Sequence, residues 1–147
     1  MAKMIFVNLP VADVEKSVVF YKALGFEQNM QFSQAGQAAS MVWSDTIVIM
    51  LLSHDFFSGF LPSAKTIADT RSTTEAMICL SFDSREAVDA VTEAAARAGG
   101  KADVRDKQDM GFMYGRAFED LDGHIYEPMF MDMDAAATAM AGEHPAA

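Results

Sequence analysis

At 147 residues, 51% of them hydrophobic, the chain is long enough for one compact domain that buries roughly two thirds of its unfolded surface. Its 21 acidic and 11 basic side chains give a net charge of −10, and the basic residues are scattered, which argues against nucleic acid and anionic membranes as partners. The longest apolar run, Ile47 to Leu52, falls far short of the ~20 residues of a bilayer span; the lone cysteine, Cys79, has no internal disulfide partner, and Lys3 is followed by no apolar stretch leading to a cleavage site, so a reducing cytoplasm is the expected compartment.

In chain order, Met4 to Val11 reads as a strand, Ala12-Asp13 as a turn, and Val14 to Leu24 as a helix. Asp13 is the predicted N-cap, Val14, Val18, Tyr21 and Leu24 recur at helical spacing, and Gly25 is the predicted stop. Phe26 to Phe32 and Ala38 to Trp43 read as strands joined by the polar loop 33–37, and Ser44-Asp45 turns the chain into a strand from Thr46 to Leu52. The stretch from Ser53 to Thr74 has no sustained period, contains Gly59 and Pro62, and reads as a connector tacked down by Phe56, Phe57 and Phe60.

The plan then repeats. Ala76 to Phe82 is a strand, Asp83 with Glu86 predicts a capping box, and Arg85 to Ala98 is a helix with Val88, Val91, Ala95 and Ala98 as its buried stripe, stopped by Gly99-Gly100. Strands follow at Ala102 to Arg105, Phe112 to Phe118 and Ile125 to Met131, the last two joined by the reversal Asp120-Leu121-Asp122-Gly123. Superposing Leu9 on Leu80 puts Phe6 over Met77 and Val11 over Phe82. The expectation is one domain over residues 1–133, built from a module at 4–52, a connector at 53–74 and a second module at 75–133, with 134–147, including His144, a flexible Ala-rich tail. Many of the 12 methionines fall in or beside the strands, where thioethers fill irregular gaps.

Three stretches together resemble the vicinal oxygen chelate superfamily, which includes glyoxalase I, bleomycin-resistance proteins and extradiol dioxygenases. They are Leu9-Pro10-Val11-Ala12-Asp13 with Ser17, Phe20, Tyr21 and Leu24-Gly25-Phe26; Leu80 to Ser84 with Gly99-Gly100; and Phe118 to Glu127. The resemblance implies an α+β fold of two βαβββ modules forming a curled mixed sheet around a cleft, commonly in a homodimer. The hydrophobic periodicity by itself gives the same βαβββ order.

Metal-dependent members of that superfamily place ligands on the first and last strands of the modules. At the matching positions this chain has Phe6, Met50 and Met77, and only Glu127 keeps a ligand-type side chain. A zinc, nickel or iron site needs about three N, O or S(−) donors, so no metal cofactor is expected, with Glu127 and His54 the only candidate ligands. Glu127 is also the candidate catalytic acid or base, since burial among Phe6, Met50 and Met77 would raise its pKa; the alternative is a carboxylate held by a nearby arginine or amide.

Strand parity adds neighbours: Asn8 with Phe6, Val48 and Leu52 with Met50, Cys79 with Met77, and Ile125 and Met129 beside Glu127. Tyr114 and Arg116 share a face, and Arg116 is expected to pair with Glu127 or an anionic ligand if that face looks inward. His124 is expected to pack locally in its turn, and Cys79 to serve as a small buried hydrophobe rather than a nucleophile.

These residues favour a protein that binds a small molecule in the cleft without chemistry, and the excess of acid favours a cationic ligand. The alternative is a glyoxalase I-like lyase or related isomerase, in which a divalent zinc, nickel or iron ion polarises oxygens and a carboxylate moves a proton.

Overall fold

The computed structural model describes residues 2–143. The chain is α+β, and it divides into two compact units, Met1–Thr74 and Glu75–Ala147.

Unit one contains β1 (Ile5–Val11), α1 (Val14–Ala23), β2 (Glu27–Gln34), β3 (Ala38–Val42), β4 (Ile47–Ser53) and α2 (His54–Ser58). Its strands form one mixed sheet in the order β1-β4-β3-β2, with β1 and β4 parallel and the other pairs antiparallel. Asp13 caps α1 as expected, its Oδ1 accepting from the Lys16 N–H at 3.0 Å, and Gly25 ends it with φ +103°, a left-handed conformation that glycine adopts without steric cost. Val14, Val18 and Tyr21 turn inward, and α1 packs on β3 and β4, whose Met41, Ile49 and Leu51 are fully buried. Tyr21 meets Phe26 edge to face at 5.1 Å. The aperiodic connector differs from its sequence reading in one place, because Ser53 Oγ accepts from the Phe56 N–H at 3.1 Å and nucleates the single turn of α2.

Unit two contains β5 (Met77–Ser81), α3 (Arg85–Arg97), β6 (Lys101–Ala102), β7 (Gln108–Asp109), β8 (Met113–Gly115), β9 (Phe118–Glu119), β10 (Ile125–Met131) and α4 (Met133–Glu143). β10 is central: β5 pairs with it in parallel, as β1 does with β4 in unit one, and β8 and β9 pair with it antiparallel. Val88, Val91, Thr92 and Ala95 of α3 are buried, and Tyr126 stacks on Phe118 at 5.3 Å. The turn before β10 is held by Asp120, whose Oδ1 accepts from the Asp122 and His124 N–H groups at 2.9 Å, around Gly123 at φ +92°.

Besides β7, which the sequence reading lacks, four features of unit two depart from it. The cap of α3 is Ser84, whose Oγ accepts from the Ala87 N–H at 3.1 Å, rather than Asp83. The strand expected over 102–105 stops at Ala102, because Asp103 takes φ +52° and turns the chain out of the ladder.

The strand expected over 112–118 is cut into β8 and β9, and Pro128 gives the reason. Its carbonyl accepts from the Arg116 N–H at 3.1 Å, and since a strand residue presents its N–H and C=O to the same neighbour, the N–H that proline lacks is the one Arg116 would have accepted. The fourth departure is at the expected tail, where Met133–Glu143 is helical. Asp132 starts it, its Oδ1 accepting from the Ala135 N–H at 3.0 Å, and alanine sustains it. Residues 144–147, with His144, lie outside the described residues.

Candidate functional site

The candidate residues fall into two groups, one in each unit. In unit one, the β1–β4 register pairs Phe6 with Val48, Asn8 with Met50 and Pro10 with Leu52, which puts Phe6, Asn8, Val48, Met50 and Leu52 on one sheet face. Val48 and Leu52 are buried, Met50 is half-buried, and Phe6 is 57% exposed although it is a large apolar side chain. His54 is exposed at the first position of α2.

In unit two, the parallel β5–β10 register pairs Met77 with Ile125 and Cys79 with Glu127, and Met129 lies one step further along the same face. Met77 is 56% exposed. Glu127, with an 18% exposed side chain, forms an ion pair with Arg105, whose own side chain is 35% exposed. Cys79 is exposed, not the buried hydrophobe expected from the sequence; partial desolvation still pushes its thiol above the ordinary range, the charge of Glu127 pushes in the same direction, and Arg105 opposes both. The upward shift makes the thiol a weaker nucleophile than an unshifted cysteine.

Tyr114 and Arg116 are not part of this face. The antiparallel register sets Gly115 opposite Met129, so Tyr114 and Arg116 project from the other side of the sheet, toward α3. There the Tyr114 hydroxyl donates to Asp89 Oδ1 at 2.6 Å, and Arg116, 3% exposed, donates to Asp89 at 3.0 Å, to both carboxylate oxygens of Asp103 at 3.0 and 2.8 Å, and reaches Glu93 at 2.9 Å. The expected partnership of Arg116 with Glu127 is thus corrected: Arg116 is consumed by three other carboxylates, and the arginine on Glu127 is Arg105. Sequence parity missed Arg105 because its position follows from the left-handed turn at Asp103, and Asp tolerates that conformation without requiring it.

The donor chemistry of the Glu127 face does not fit a catalytic divalent ion. Its ionisable ligand types are one carboxylate already engaged by a cation and one thiol, short of the three donors such an ion needs; its other neighbours are thioethers and an isoleucine. Among the described residues, no three His, Cys, Asp or Glu side chains are grouped so that they would hold a metal ion. What the face offers is an apolar strip with one paired acid and base at its centre, suited to binding a molecule with an apolar body and a polar group.

Comparison with known proteins bears on the fold. Residues 3–41 match a family model described as bleomycin resistance protein-like N-terminal. No curated protein matches. Among solved structures, the hypothetical protein SA1046 from S. aureus superposes with a TM-score of 0.72 at 29% identity, over 88% of this chain and 95% of that one. A glyoxalase/bleomycin resistance protein/dioxygenase family enzyme from Burkholderia phytofirmans PsJN gives 0.69 at 15% identity, over 88% and 99%. Lactoylglutathione lyase from Agrobacterium tumefaciens gives 0.62 at 14% identity, over 90% and 96%.

Proposed function

Since this chain has the fold of the glyoxalase/bleomycin-resistance/dioxygenase superfamily, we propose that it is a small-molecule-binding protein that works without a metal cofactor. The observation that carries the reading is the Glu127–Arg105 ion pair. Glu127 is the one ligand-type side chain retained at the superfamily's metal positions, and a guanidinium on a carboxylate both takes up its lone pairs and repels an incoming cation. The ligand pairs an apolar body, set against Met77, Ile125 and Met129, with a polar group that meets Glu127 and Arg105. The net charge of −10 favours a ligand that carries positive charge overall.

The test is elemental analysis of protein purified without chelator, together with calorimetric titration of metal-free bleomycin and an assay of methylglyoxal–glutathione turnover with added nickel or zinc. Substoichiometric metal, no turnover, and bleomycin binding that weakens in Glu127→Gln support the reading. Stoichiometric metal with turnover overturns it in favour of a lyase of the lactoylglutathione lyase type.

The same reading includes a homodimer in the cytoplasm. Exposed Phe6 in unit one and Met77 in unit two support the first, since large apolar side chains are usually covered in use; the lone free thiol supports the second. Light scattering that gives the mass of one chain would remove the dimer.

A further inference from the structure

We propose that Asp103, gripped by Arg116, is a positioning residue that sets Arg105 over Glu127, so that the ion pair at the candidate site is held in place from the opposite side of the sheet. The inference rests on the reading of the Glu127 face as the binding site for its bearing on ligands, and its test reads the ion pair itself.

The ion pair with Glu127 engages only one end of the Arg105 guanidinium. Its Nε is shielded from solvent and has no acceptor, and an arginine settling freely would satisfy that donor. The pose therefore answers to the backbone as well as to the ion pair. Two residues upstream, Asp103 sits at φ +52°, a conformation that Asp tolerates but does not require, so its surroundings decide whether it is kept.

The enforcement is visible. Arg116 Nε and Nη2 hold the two Asp103 oxygens at 3.0 and 2.8 Å, and the Val104 N–H donates to the Ala117 carbonyl at 3.2 Å. Arg116 is itself buried and braced by Asp89 and Glu93 of α3, so the anchor is rigid. From Asp103 to Arg105 the chain spans two residues, at most about 7 Å, which leaves little slack between anchor and guanidinium.

Cys79 reports on the arrangement. It is the sole cysteine, it is accessible, and it lies in register with Glu127, with Glu127 and Arg105 acting on its thiol in opposite directions. The experiment measures the rate of iodoacetamide alkylation of the full chain across pH. Asp103→Asn removes the charge that Arg116 grips, and Asp103→Gly removes the carboxylate while relieving the left-handed backbone. Both are expected to slow alkylation at pH 8 by about three-fold, as Arg105→Gln does, because a thiol that loses its nearby cation has less thiolate at that pH. Glu127→Gln is expected to speed it.

The sign is diagnostic. Deleting the Asp103 charge would, acting directly, speed alkylation, and partial unfolding would speed it too by exposing the thiol. If Arg105→Gln slows the reaction and both Asp103 variants leave it unchanged or faster, the positioning role is overturned and the site reading stands. If neither Arg105→Gln nor Glu127→Gln moves the rate, the ion pair does not stand beside Cys79, and both ideas fall.

Discussion

Tyr114 gives its hydroxyl proton to Asp89 across 2.6 Å, a charge-assisted hydrogen bond that ties β8 to α3 on the face of the sheet away from Glu127. The same carboxylate oxygen accepts from Arg116, so one acid on the helix is shared by a phenol and a guanidinium. Replacing Arg116 with Met leaves Asp89, Glu93 and Asp103 repelling one another with only the more distant charge of Lys107 to offset them and is expected to cost about 2 kcal/mol, while Tyr114→Phe is expected to cost about 1 kcal/mol. Urea unfolding followed by circular dichroism measures both, and equal effects would mean that the guanidinium is not the hub.

The network makes stability fall at both ends of the pH scale. Asp89 is held below its ordinary range first by the Tyr114 hydrogen bond, and Asp103 by its bond to Arg116; Asp109, gripped on both oxygens by Arg85, lies at about 2. Each depressed carboxylate contributes stability that is complete above its unfolded pKa and is lost as the pH drops below about 4. Tyr114 is shifted upward by its bond to Asp89, so its contribution is complete below the unfolded value and lost as the pH rises through about 10 and beyond. The urea midpoint should be flat near neutrality and fall on both sides, and Tyr114→Phe should flatten the alkaline limb.

The start of α3 separates two adjacent residues. Ser84→Ala removes the acceptor for the Ala87 N–H and is expected to cost about 1 kcal/mol, whereas Asp83→Ala should change the melting temperature by little. The opposite ranking would show that Asp83, not Ser84, caps this helix.

Two glycines end helices at matching points with nearly the same angle, Gly25 at φ +103° and Gly99 at φ +102°. Alanine at either site is strained by about 1–2 kcal/mol. A Cβ at Gly25 would meet open space, whereas one at Gly99 would stand 3.2 Å from Leu121 Cδ2, so Gly99→Ala should be the more destabilising of the pair in thermal melts. Equal losses would mean that Leu121 gives way freely.

Much of the architecture was legible in the sequence wherever a segment carried its own period and its own punctuation. The cap at Asp13 and the stop at Gly25 bracket α1, and the Ile125–Met131 strand lies where its alternation put it, because those signals are local. What was not legible depended on partners. The interruption between β8 and β9 is written in Pro128, on another strand, and Arg105 owes its place to an Asp103 conformation enforced by Arg116. The side taken by Tyr114 and Arg116 depended on a register that parity within one strand does not set.

Met77 stands more than half open to water at one end of the strip that also carries Cys79. Oxidants that convert such a sulfur to its sulfoxide would turn a greasy contact into a strong dipole, and reductases would reverse the change. Peroxide would oxidise Met77 in the free chain, wetting the strip while leaving the buried Met41 untouched, and a dimer that covers Met77 would slow the change.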